Sequence, residues 1–249
     1  MIVTTIVPDG VVMAADSSLI TFKMMDMENF IRGNAHEAIK NTATGACAHK
    51  KENIVGSTIL SKSICKLHVM KGNNIVIADG NQRNFNNKSL SPYIQYFCSN
   101  NHYDNPKSCS IGLYNFIKEL GQNIDAVYHL CGYNHEKKIP SPEFYYVEVK
   151  NDMIINAARK EQCGISFCGA NEYFSQYAPL INKKIASYSL QDAVDVSLFA
   201  IEMSMKLERF IDRDALISPP IDLLAIEPSG VKWIQQKTLK TEGCYGNIR

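Results

Sequence analysis

The sequence predicts an α+β domain, and three observations carry that prediction. Apolar β-type segments and helical segments come in blocks, in the order strands, helices, strands, helices, strands, which favours segregated layers over an alternating βαβ sheet. Turn signals stand where short strands would reverse, at Pro8-Asp9-Gly10, Asn73-Asn74, Asn151-Asp152 and Pro228-Ser229-Gly230. The composition, 45% hydrophobic and 20% charged over 249 residues, is that of a globular chain with ample core. Residues 1–249 are therefore read as one domain, with an atypical insertion around 17–61, where no hydrophobic period is sustained.

The first element is a β-hairpin, Ile2 to Val7 and Val11 to Ala15, turning at Pro8-Asp9-Gly10. Both arms are almost continuously apolar, which suits strands buried on two faces. A second hairpin runs from Leu67–Met70 to Ile75–Ala78. Two helices follow: a short one in SLSPYIQYF and a longer one in SCSIGLYNFIKELG, with Leu113, Phe116, Ile117 and Leu120 on one face and Gly121 as C-terminal cap. Strands are expected at Ala126–Cys131, Phe144–Lys150 and Met153–Ala157, then a helix around Asn171–Ile181. The longest helix starts at the capping box SLQD from Ser189 and runs to Phe210. Its stripe of Ala193, Ser197, Ala200 and Ser204 would let a neighbouring helix approach closely. Ile221–Ile226 and Val231–Ile234 close the chain as a last hairpin.

Several function classes are excluded by composition. With 26 basic and 25 acidic residues the net charge is +1, which gives no electrostatic footprint for nucleic acid or an anionic membrane. No run of 18 apolar residues is present, and Pro8-Asp9-Gly10 interrupts any signal-peptide core. The eight cysteines, at 47, 65, 98, 109, 131, 163, 168 and 244, form no CxxC pair and read as reduced thiols of a cytoplasmic protein. The histidine and cysteine groups His36/Cys47/His49 and His129/Cys131/His135 lack the spacing of a zinc site, so no metal or cofactor is expected.

The opening TTIVPDGVVMAAD resembles the first hairpin of proteasome β-type and bacterial proteasome-like subunits, members of the N-terminal nucleophile hydrolases. ADGNQ resembles that family's glycine loop, KSICKLHV its catalytic lysine, here Lys62, with the Lys-aliphatic strand that follows, and RDALISPPIDLLAIEPSGV its closing hairpin. FCGANEYFSQYAPL is similar to its small-residue turn, with Ala170 where the family has serine. The resemblance implies a four-layer αββα sandwich. It also implies a catalytic set of Thr4 as nucleophile, Asp16 and Lys62 as activating pair, Gly80 as oxyanion donor, and Asp214 and Ser218 as supporting groups.

The chemistry that this set implies is specific. A threonine hydroxyl is a poor nucleophile, but a free α-amine on the same residue can take its proton. A neighbouring lysine lowers the amine's pKa by like-charge repulsion and stabilises negative charge on Oγ. Thr4 would become N-terminal only after removal of residues 1–3, by a cut after Val3.

Three readings follow. The first is a threonine-type peptidase acting on a peptide or protein substrate. The second is an unprocessed, catalytically inactive structural subunit. The third is a small-molecule amidase, since one nucleophile serves many amides and a fold does not choose among them. Family analogy also implies a homo-oligomer, with stacked rings one form of it, and leaves open whether an ATP-driven unfoldase takes part.

Overall fold

The computed structural model describes residues 1–22, 57–61, 64–72, 74–83, 89–121, 124–136, 138–150, 153–160, 163–169, 173–211 and 216–237. The chain is mixed α and β, with two antiparallel five-stranded sheets. The first sheet has the order β10-β1-β2-β11-β12, from β1 (Ile2–Val7), β2 (Gly10–Ala15), β10 (Gly164–Cys168), β11 (Asp222–Glu227) and β12 (Gly230–Gln235). The second has the order β5-β6-β7-β8-β9, from β5 (Leu67–Val69), β6 (Ile75–Arg83), β7 (Asp125–Asn134), β8 (Ser141–Lys150) and β9 (Met153–Lys160). A separate pair, β3 (Leu19–Phe22) with β4 (Ser57–Ser61), bounds the residues expected to be an insertion.

Side-chain alternation along these strands builds three apolar cores. Ile2, Ile6, Val11 and Met13 of the first sheet share one core with Val76, Ala78, Cys131 and Phe144 of the second. The other face of the first sheet, with Val3, Val7, Val12 and Ala14, is covered by Ala193, Ala200 and Ile201 of the long helix. The other face of the second sheet, with Ile75, Ile77, Tyr128 and Leu130, is covered by Ile94 and Phe97 of α1 (Ser91–Asn100) and by Leu113 and Ile117 of α2 (Pro106–Leu120). Strands buried on both faces need apolar residues at consecutive positions, and β1 and β2 have them.

Local chemistry sets the helix ends. In α2, Asn105 caps the helix by accepting from Ser108 N at 2.8 Å, and Pro106 follows at the first turn, so the helix begins two residues before the expected start. The stretch 171–181 does not form one helix. Among its described residues a 3₁₀ turn, Phe174–Gln176, is followed by the short α3 (Ala178–Asn182), whose first turn contains Pro179. The capping box of α4 (Leu190–Ile211) is present: Ser189 N donates to Asp192 Oδ2 at 2.8 Å and Asp192 N donates to Ser189 Oγ at 3.2 Å.

The small-residue stripe of α4 faces the sheet and not a second helix. Ala193, Ser197, Ala200 and Ser204 are fully buried, and Ser197 Oγ lies 2.7 Å from Thr5 Oγ1 of β1. Small side chains let the helix backbone approach a sheet as they would a helix, so the spacing alone could not choose. The strands β3, β4 and β10 were not expected. β10 is five residues long, begins at Gly164 and is followed by Gly169, and glycines read as turns.

Candidate active site

The first hairpin sets the geometry of the site. Its turn occupies only Pro8-Asp9, and Val7 pairs with Gly10, Thr4 with Met13 and Ile2 with Ala15. Continued by one step, this register brings Asp16 opposite Met1, and Asp16 N donates to Met1 O at 3.2 Å. The residue facing Asp16 at the end of the hairpin is therefore residue 1 and not Thr4.

Asp16 is fully buried and its carboxylate accepts four hydrogen bonds. Oδ1 receives the Met1 α-amino group and Lys66 Nζ, each at 2.5 Å. Oδ2 receives Ser18 N at 3.0 Å and Ser218 N at 3.2 Å. Ser18 Oγ and Ser218 Oγ lie 2.6 Å apart, and Ser17 N donates to Ser218 O at 3.0 Å. Burial would push the Asp16 carboxyl up, but the Met1 ammonium, Lys66 and their hydrogen bonds outweigh it and hold the carboxyl at about 2. The Met1 amine is lowered to about 6, by burial first and then by Lys66, against the attraction of Asp16. At neutral pH much of that amine is unprotonated and basic. The Met1 side chain, however, is a thioether and supplies no nucleophile.

Two glycines shape the surroundings. Gly169 adopts φ +95°, and a Cβ there would stand 3.0 Å from Met1 Cα, so glycine is required both by the backbone and by the close approach of residue 1. Gly80 sits where the pairing of β6 with β7 shifts between Asp79 and Asn81. A Cβ at Gly80 would stand 2.9 Å from Cys168 Sγ and 3.0 Å from Ile2 Cδ1. The second sheet thus approaches β1 and β10 closely at the residue expected to be an oxyanion donor.

Thr4 is elsewhere. It is fully buried in the middle of β1, paired with Met13 on one side and Ser166 on the other, and its Oγ1 lies 2.9 Å from His129 Nδ1. At about 3.3 Å per residue, Thr4 stands roughly 10 Å along the strand from residue 1. The ring of His129 packs edge-on against Phe144, with centroids 5.0 Å apart.

The structure thus brings Asp16 and Ser218 together, with Gly80 close to Ile2 and Cys168, and does not bring Thr4 to them. The lysine at Asp16 is Lys66, the residue directly before β5. Lys62 and Asp214 lie outside the described residues, as do Ala170, His36, Cys47 and His49.

A further carboxylate supports the site from behind. Glu208 of α4 is buried and accepts from Ile217 N at 2.9 Å, holding the chain just before Ser218. Its pKa is raised, chiefly by burial, against its hydrogen bonds to the backbone of Ile217 and Leu216. In sequence Glu208 reads as one more charge on a long helix, and nothing in its spacing distinguishes it.

Among the described residues no helix is long and apolar enough to cross a membrane. No protein-family model matches the chain, and no curated protein matches it either.

Proposed function

We propose that the chain is a non-hydrolytic, proteasome-like subunit: a four-layer αββα member of the N-terminal nucleophile group that keeps the charge frame of the site and lacks its nucleophile. The observation that carries this reading is the side chain opposite Asp16. Asp16 takes hydrogen bonds from Lys66, from Ser218 N and from the α-amino group of residue 1, and residue 1 is methionine, with neither hydroxyl nor thiol. The three cores described above support the layered fold, each separating two of the four proposed layers.

In this reading the frame is structural. It ties the start of β1 to β2, to the segment before β5 and to the segment before β11 through one fully satisfied carboxylate. The partner is a second copy of the chain or a related subunit. Phe199 and Phe210 on α4 and Leu180 on α3 support association, being large apolar side chains 51%, 83% and 61% exposed.

A second reading keeps Thr4 as the nucleophile of a threonine peptidase or amidase. It is favoured by the lowered pKa of an α-amine beside Lys66, which is the base such chemistry uses. It requires residues 1–3 to be removed and β1 to move by three positions. An odd shift exchanges the two faces of the strand, so Thr4 would leave His129 and Thr5 would leave Ser197. A mechanism-based acyl probe, such as a β-lactone, tests both readings by intact mass. The non-hydrolytic reading expects no adduct on the wild type, and a stoichiometric adduct on Thr4 overturns it.

A further inference from the structure

Lys237 lies two residues beyond β12 and is nearly buried, its side chain 6% exposed. Its Nζ stands 2.8 Å from Asp222 Oδ2 and donates to Ser17 Oγ at 2.9 Å and to the carbonyl of Ile64. Its backbone N–H donates to the other oxygen of Asp222 at 2.8 Å. Two hydrogen-bond acceptors and the charge of the Asp222 carboxylate surround the ammonium group, and a buried lysine is tolerated when it is paired in this way.

The two segments joined in this way are those that carry the charge frame. Ser17 follows Asp16, and Ile64 precedes Lys66 by two residues. Their backbones also meet directly, with Ile64 N donating to Ser17 O at 3.1 Å. Beyond Ile64 the segment is held by Ser91 Oγ, which donates to Cys65 O at 2.7 Å, and by Asp79 N, which donates to Lys66 O at 2.8 Å. An apolar side chain at position 237 could fill the same volume, but it could not bind a hydroxyl of one segment and a carbonyl of the other at once.

We propose that Lys237 is a positioning residue for the Asp16–Lys66 pair: its ammonium clamps the 64–66 segment to Ser17 and thereby holds Lys66 Nζ against Asp16. The proposal deepens the reading given above, because it rests on that pair being the centre of the site. It also assigns the C-terminal hairpin a role there through a residue that no motif marks.

The test compares wild type with the double variant Asp222→Asn/Lys237→Met, which removes both charges and leaves no orphaned carboxylate. Folded protein is acetylated with an N-hydroxysuccinimide ester, and modification of Lys66 is read by peptide mass spectrometry relative to the exposed Lys232 and Lys206. The expected result is a rise of about tenfold or more in the relative rate at Lys66, since local opening controls access to a buried amine. Unchanged protection of Lys66 in the folded variant overturns the proposal.

Wild type in sub-denaturing urea gives a second result if the double variant fails to fold. Lys66 and Lys237 are then expected to become reactive together, with one urea dependence, and opening of Lys66 while Lys237 stays protected overturns the clamp. Neither readout involves hydrolysis, so the acyl-probe experiment stands or falls separately.

Discussion

The α-amino group of Met1 lies 2.5 Å from Asp16 Oδ1 because a turn confined to Pro8-Asp9 makes residues 1 and 16 the last pair of the first hairpin. Lys66 shares that oxygen, and Ser218 N holds the other one. A buried anion with this many donors is fixed in place, and it holds the α-amino group of residue 1.

A hydroxyl placed at residue 1 should therefore be served by the frame where Thr4 is not. A chain encoding threonine at position 1 behind an initiator methionine that is removed, M1T, is expected to form a covalent adduct with a β-lactone, approaching one per chain by intact mass. Wild type is expected to form none, and M1T/T4V is expected to react like M1T. Labelling that depends on Thr4 in either background would contradict this.

Thr4→Val should act on stability alone. The change keeps the shape of the side chain and removes the partner of His129 Nδ1 in a fully buried setting, at a cost of about 1–2 kcal/mol in urea unfolding. A loss below a few tenths of a kcal/mol would mean that the pair is not formed.

Asp16→Asn should be far more costly than Thr4→Val. It leaves Lys66 and the Met1 amine without their shared anion, and breaking a buried pair from one side costs about 3–5 kcal/mol. Asp16→Asn/Lys66→Met should recover part of that loss, which equilibrium denaturation in urea can measure.

Acidification should weaken the fold well before carboxylates protonate. The Met1 amine, at about 6 in the folded chain against an ordinary 8.0, binds fewer protons folded than unfolded across that window. Stability therefore falls as pH drops from 8 to 6, by about 3 kcal/mol in all. His68, lowered by burial and then by Lys237 to about 4 from 6.5, continues the decline over that lower window. Asp16 acts in the same direction at lower pH: its contribution is present above pH 3.8 and is lost as pH falls through about 2. Urea midpoints measured from pH 8 to 4 are expected to fall throughout, and His68→Gln should flatten the part between 6.5 and 4.

Gly169→Ala should destabilise by roughly 1–3 kcal/mol, since a side chain at φ +95° is strained and the added Cβ meets Met1 Cα at 3.0 Å. Thermal melting of the variant beside Gly121→Ala, where a Cβ meets nothing within 4 Å, isolates the effect.

Much of the fold was legible because the periods are strong. The double-faced apolar runs of β1 and β2 announce strands covered on both sides, and SLQD announces the start of α4. The site was only half legible. Asp16 and Ser218 follow from the hairpins that carry them, but Thr4 was favoured by its chemistry, whereas the register is set by the turn. With a turn of two residues, paired positions sum to 17, so the partner of Asp16 could have been counted from the sequence as residue 1. Lys66 gave less warning, because KSICKLHV offers two lysines and only the long-range approach of β5 to the end of β2 selects one. Glu208 and Lys237 act through backbone groups far away in sequence, and such contacts leave no local pattern.

In the proposed arrangement the Asp16–Lys66 frame serves residue 1 and not Thr4. Intact mass of the purified wild type beside Thr4→Ala, with N-terminal sequencing of both, tests it most directly. Both proteins are expected to retain Ile2 and Val3 ahead of position 4. A wild type that begins at Thr4 beside a Thr4→Ala protein that does not would contradict it.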